Sequence, residues 1–147
     1  MSRPELFFDS SALIAGIASR TGGARALLDY AEAGILTILV SEQVIAETER
    51  TIARKLPGYI SVARQMIRSA DVRVLRDPQP GDIAPYQGFI AHTADLPILV
   101  AAIKAQVGFL VTLNRRHFLD DPDVARKSNL RIGAPGDALA WLRAQIQ

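Results

Sequence analysis

The 147-residue sequence has no cysteine, which excludes disulfides and thiolate metal sites. It has two histidines, His92 and His117, and neither has another His or Cys at ligand spacing, so both are expected to be structural. No apolar run approaches the roughly 18 residues that a membrane span needs. The opening Met1-Ser2-Arg3-Pro4-Glu5 lacks the basic start and long apolar core of a secretory signal, so none is expected. Repeats and low-complexity tracts are also missing. The formal charge is only +2, a balance that permits nucleic-acid binding without indicating it. Together these absences suit a cytoplasmic protein with no membrane partner.

What remains is ordinary globular composition, 49% hydrophobic and 22% charged, and residues 1–147 are expected to form one domain. Strand-like and helix-like stretches alternate. Leu6 to Phe8, Ile35 to Val40 and Phe109 to Thr112 are short apolar runs of the kind buried on both faces of a sheet. Val72 to Leu75 and Leu130 to Ile132 are weaker strands. Helical spacing covers about Ala12 to Ala18, Ala24 to Ala31, the stretch after Ser41 up to Pro57, Tyr59 to Ala70, Thr93 to Gln106, and a closing helix after Pro135. A weak helix is expected over Tyr86 to His92, a stiff loop over Asp77 to Pro85, and surface loop over Asp120 to Asn129. This alternation predicts an α/β fold, a three-layer α/β/α sandwich around a central, mostly parallel sheet.

The chain is organised around Leu6-Phe7-Phe8-Asp9-Ser10-Ser11-Ala12. An apolar strand stops at an acid, and Ser10 or Ser11 is placed to cap the helix that follows. Asp9 therefore falls at the carboxyl edge of the sheet, where ligands bind in open α/β folds. Asn114, two residues beyond the strand ending at Thr112, should reach the same edge. Asp95 opens a helix returning to the sheet, and Glu47 lies on the helix after the second strand. If the four converge, three carboxylates meet one amide, and their charges demand a cation. Hard oxygen donors point to Mg²⁺ or Mn²⁺, which activate water and clamp phosphodiester oxygens. Each residue also has a plainer reading. Asp95 suits a helix dipole and Asn114 suits a turn, while Glu42 and Glu49 compete with Glu47.

Four segments in order resemble the PIN domain family of metal-dependent ribonucleases, which includes the VapC toxins of toxin–antitoxin pairs. They are Phe8-Asp9-Ser10-Ser11-Ala12-Leu13-Ile14, Val40 to Glu47, Asp95 to Ala102, and Leu110 to Phe118. The resemblance implies that Asp9, Glu47 and Asp95 hold a Mg²⁺ or Mn²⁺ ion and that the hydroxyls of Ser11 and Thr112 support the acids. It implies hydrolysis of RNA by metal-activated water, leaving a 3′-hydroxyl and a 5′-phosphate. It also implies a homodimer and an antitoxin partner. The family's frequent fourth acid is Asn114 here, which adds an oxygen but no charge and puts a second metal in doubt.

Arg115 and Arg116 follow this site and are candidates for substrate phosphates, although paired arginines on a turn are commonly just solvated. Two rivals remain. One is a PIN-like module that holds RNA or a protein without cutting, which Asn114 favours. The other is a phosphoacceptor domain of the receiver type. The latter needs an acidic pair before its acceptor and a Lys after a late strand, and Lys104 instead falls within a helix.

Overall fold

Wholly buried Leu6, Phe7 and Phe8 place strand β1 (Glu5–Phe8) at the centre of the fold in a computed structural model that describes residues 3–146. Its neighbours are β2 (Thr37–Ser41) and β4 (Phe109–Val111), equally apolar, as strands covered on both faces must be. The partly exposed β3 (Arg73–Leu75) and the two-residue β5 (Ile132–Gly133) form the edges. The order is β3-β2-β1-β4-β5 and all four pairings are parallel. The sheet is flanked by helices, and the expected α/β/α architecture is the one observed.

The helices are α1 (Ser10–Ala18), α2 (Gly23–Glu32), α3 (Glu42–Lys55), α4 (Ile60–Ser69), the single turn α5 (Pro80–Ile83), α6 (Leu96–Ala105), α7 (Pro122–Ser128) and α8 (Pro135–Ile146). Ser41 caps α3 by accepting from the Val44 amide at 3.3 Å. Gly34 follows α2 at φ +80°, a conformation that costs glycine nothing.

Four expectations are corrected. The cap of α1 is Asp9 itself, not Ser10 or Ser11. The Asp77–Pro85 loop contains α5, with Pro80 at its start and a reciprocal Gln79–Asp82 capping box. The weak helix expected over Tyr86 to His92 is not formed: Tyr86 ends the 3₁₀ turn Ala84–Tyr86, and the residues after it are not helical. Gly88 at φ +86° turns the chain there. The supposed loop at Asp120 to Asn129 holds α7, capped by Asp121 and ended by Asn129 at φ +57°.

The strand order fixes where a site can form. From β1 the chain steps outward to β2 and β3, then crosses back to β4 on the other side of β1. The carboxyl ends of β1 and β4 thus flank the switch point of the sheet, where the diverging connections leave a crevice. Phe8 pairs with Val111, so the next residues out, Asp9 and Thr112, meet at that crevice.

Candidate active site

Asp9 is almost fully buried beyond the end of β1. Its Oδ1 accepts from the Ser11 hydroxyl at 2.6 Å and from the Ala12 amide at 2.9 Å. Its Oδ2 accepts from the Thr112 hydroxyl. These hydroxyls are themselves fixed, because Ser11 Oγ accepts from the Leu113 amide and Thr112 Oγ1 from the Asn114 amide, both at 2.9 Å. The loop after β4 is thereby tied to the start of α1. Burial pushes the Asp9 carboxyl above its ordinary value, against the lowering effect of three donated hydrogen bonds, and the nearby Asp95 charge pushes the same way. A buried carboxylate with a second acid nearby is favoured in its charged form by a cation.

Glu47 is half-buried on α3 and reaches the same place. Its Oε1 accepts from Ser10 Oγ at 2.9 Å and its Oε2 from Gln43 Nε2 at 3.1 Å. Gln43 Nε2 also donates to the Ala94 carbonyl at 3.1 Å, which anchors the 3₁₀ turn Thr93–Asp95 on α3. Asp95 ends that turn. Its Oδ2 lies 2.6 Å from His117 Nδ1 and 3.3 Å from His92 Nδ1. His117 Nδ1 in turn lies 2.9 Å from Asn114 Nδ2, and Asn114 Oδ1 accepts from the His117 amide at 3.1 Å.

These contacts close a ring. It runs from Asp9 to adjacent Ser10, through Glu47, Gln43 and Ala94 to Asp95, then through His117, Asn114 and Thr112 back to Asp9. The structure therefore brings Asp9, Glu47, Asp95 and Asn114 together from four segments. Ser11 and Thr112 hold the Asp9 carboxylate. Glu42 and Glu49, which sequence alone left as competitors of Glu47, point elsewhere: Glu42 accepts from the Asp77 amide and Glu49 pairs with Arg64.

The arginines divide. Arg116 lines an open cleft of about 480 Å³ with Ala91, His92, His117 and Asp121. Arg115 does not reach it; that side chain is largely exposed and pairs with Asp120 at 3.2 Å. Neither Asp120 nor Asp123, paired with Arg115 and Arg126, supplies a fourth acid to Asp9.

The two histidines, expected to be structural and without a partner at ligand spacing, come together at Asp95. Their rings stack at 3.8 Å between centroids, and both Nδ1 atoms lie within 3.3 Å of Asp95 Oδ2. Spacing hid this because they are 25 residues apart and approach the acid from different turns. Two signals were present. His92 and Asp95 are three apart at a 3₁₀ turn, where such side chains eclipse. Asn114 and His117 have the Asn-x-x-X spacing of a side-chain-capped turn. Gln43, one helical turn before Glu47, was likewise overlooked.

The three carboxylates are hard oxygen donors of the kind a divalent cation takes, although among the described residues the ligand atoms within 4.8 Å of one another are those of His92, Asp95 and His117. Asp9 Oδ2 has a free lone pair, Asp95 Oδ2 is buried without accepting a hydrogen bond, and Glu47 is oriented by two donors. The PIN domain family model matches residues 5–116. The chain belongs to the PIN domain family.

The match includes every residue named in the ring except His117. Three solved structures resemble this PIN domain in fold. VapBC2 from Rickettsia felis, crystallised bound to a DNA fragment from its promoter, superposes with a TM-score of 0.62 at 18% identity, covering 88% of this chain and 98% of that one. PAE2754 from Pyrobaculum aerophilum gives 0.63 at 17% identity, with 96% and 90% covered. VapC20 from Mycobacterium tuberculosis, described as a sarcin–ricin loop cleaving toxin, gives 0.55 at 19% identity, with 76% and 91% covered. No curated protein matches the sequence. Among the described residues, no helix of this PIN domain is long and apolar enough to cross a membrane.

Proposed function

We propose that this PIN domain is a divalent-metal-dependent endoribonuclease and the toxin of a toxin–antitoxin pair. The observation that carries the proposal is the ring at the switch point. Three carboxylates from separate segments are joined through one network of polar contacts, and one of them, Asp9, is buried with its pKa raised. A buried acid with other acids beside it is costly unless a cation joins them.

In this reading Asp9, Glu47 and Asp95 hold Mg²⁺ or Mn²⁺. When bound, the ion supplies activation of water and Lewis-acid polarisation of a phosphodiester. The chain's own residues do the rest. Ser11 and Thr112 keep the Asp9 carboxylate in one orientation, and Ser10 and Gln43 do the same for Glu47. Asn114 acts by fixing His117, and its Oδ1 keeps one lone pair for a ligand water. Arg116 offers a guanidinium to a substrate phosphate in the cleft beside the acids, and Arg115 contributes only to the surrounding field.

The toxin assignment draws on chains of the same fold, which include a sarcin–ricin loop cleaving toxin and a VapBC complex. RNA as substrate, an antitoxin as partner, a homodimer as the assembled form and a cytoplasmic location belong to the same proposal. The non-cleaving alternative keeps one observation in its favour: the fourth acid position is an amide engaged with His117.

The test is cleavage of a structured RNA by the purified chain with Mn²⁺, with Mg²⁺ and with EDTA. We expect metal-dependent fragments carrying 5′-phosphates. Full-length RNA under every condition, with RNA still bound in a shift assay, favours the non-cleaving module.

A further inference from the structure

We propose that Asp95, His92 and His117 together form a mixed nitrogen–oxygen site for a transition-metal cation of the Zn²⁺ class, so that this PIN domain is not confined to Mg²⁺ or Mn²⁺. The inference shares Asp95 with the proposed nuclease site and rests on that reading in this one residue.

The geometry comes first. One ring nitrogen of each histidine and a carboxylate oxygen of Asp95 all lie within 4.8 Å of one another. Both Nδ1 atoms lie within 3.3 Å of Asp95 Oδ2. The two histidines line an open cleft of about 480 Å³, which gives an ion a path in. Two imidazoles and one carboxylate are a donor set that binds Zn²⁺, Fe²⁺ and Co²⁺ well and Mg²⁺ poorly.

Asp95 Oδ2 is buried and accepts no hydrogen bond, although His117 Nδ1 lies 2.6 Å away. Asn114 Oδ1 accepts from the His117 amide, so the Asn114 amide group is the end turned toward His117 Nδ1, 2.9 Å away, and that nitrogen is engaged with Asn114 rather than with Asp95. A buried carboxylate oxygen without a donor is costly, and two imidazole nitrogens stand beside it.

A cation gives Oδ2 a partner by taking its lone pair together with those of the two Nδ1 atoms, once the imidazoles turn out of their parallel stack. Bonds of about 2.0–2.2 Å at tetrahedral angles separate ligand atoms by about 3.4 Å. The His92–Asp95 distance of 3.3 Å already matches this, and His117 has to draw back by less than about 1 Å, releasing Asn114 Nδ2 as it does so.

The experiment uses the full, untagged chain labelled with ¹⁵N-histidine, and Zn²⁺ alone as the probe. The chain has two histidines, so the imidazole spectrum contains only the rings in question. We expect both Nδ1 resonances to move to ligated values by one equivalent of Zn²⁺. Calorimetry should show His92→Ala and His117→Ala each losing Zn²⁺ affinity by at least about tenfold. Unmoved imidazole resonances, with equal Zn²⁺ affinity in both variants, would overturn the inference. The nuclease reading then still stands if Mn²⁺ binding depends on Asp9 and Asp95. If histidine ligation is seen but Mn²⁺ binding ignores Asp9, the mixed site survives and the nuclease reading fails. Absence of binding by either ion overturns both.

Discussion

Asp9→Asn lowers RNA cleavage by at least about 10³-fold, equivalent to about 4 kcal/mol of transition-state stabilisation, yet leaves the metal-free protein as stable as wild type or more so. The two halves of this result have one cause. Asp9 is buried, and its folded pKa lies above its ordinary value of 3.8. A carboxyl shifted in that direction favours folding fully below its unfolded pKa, and that contribution is lost as pH rises through the folded value. At neutral pH, without metal, the charged form is therefore a burden. Asparagine keeps an oxygen for the Ser11 and Ala12 donors and is neutral throughout. The stability difference in favour of the variant should widen as pH rises from about 3.8 and then level off above the folded pKa of Asp9. Saturating Mn²⁺ should raise the melting temperature of wild type only, because an ion that binds the native state stabilises it by mass action. Thermal melts at acid and neutral pH, with and without Mn²⁺, and a cleavage assay check both halves. A variant that melts well below wild type at neutral pH without metal contradicts the argument.

Phe8→Ala produces the opposite pattern. Phe8 is wholly buried, pairs with Val111 across the central strands, and immediately precedes Asp9. Truncating a buried phenylalanine costs about 3–5 kcal/mol, because the lost burial is compounded by the cavity left behind. In a domain of this size that lowers the melting temperature by about 10 °C. The metal ligands remain, so protein that is still folded at low temperature should bind Mn²⁺ nearly as wild type does. A fall of less than about 3 °C in a thermal melt would mean that the central strand does not anchor the site.

The pairing of these two neighbours shows why this stretch could be read without a structure. An apolar run that ends in an acid announces both the core strand and the residue that the core cannot satisfy. The same physics made β2 and β4 legible, since strands buried on both faces leave continuous apolar runs. Ser41 and Gly34 were legible because caps and left-handed turns restrict residue type. Where stability comes from capping alone, the sequence was opaque. Helix α7 is polar along most of its length and is held by Asp121, Pro122 and Asn129 rather than by an apolar stripe. Helix α5 lay hidden among prolines that normally signal a loop. Tyr86 to His92 has helical residues, but Gly88 overrides them.

At the site, the acids could be nominated because each stands at an element end. Their partners could not. Ser10 and His117 meet the acids only through tertiary contacts, while the spacings of Gln43 to Glu47 and of His92 to Asp95 are local but too common to single them out.

The most direct measurement of the central claim is calorimetric titration of Mn²⁺ into the wild-type chain, Asp9→Ala and Asp95→Ala, repeated with a short RNA present. The account predicts binding to wild type and its loss in both variants, because acids from two distant segments hold one ion. Binding that survives either substitution, or wild type that takes up no Mn²⁺ even with RNA, would contradict it.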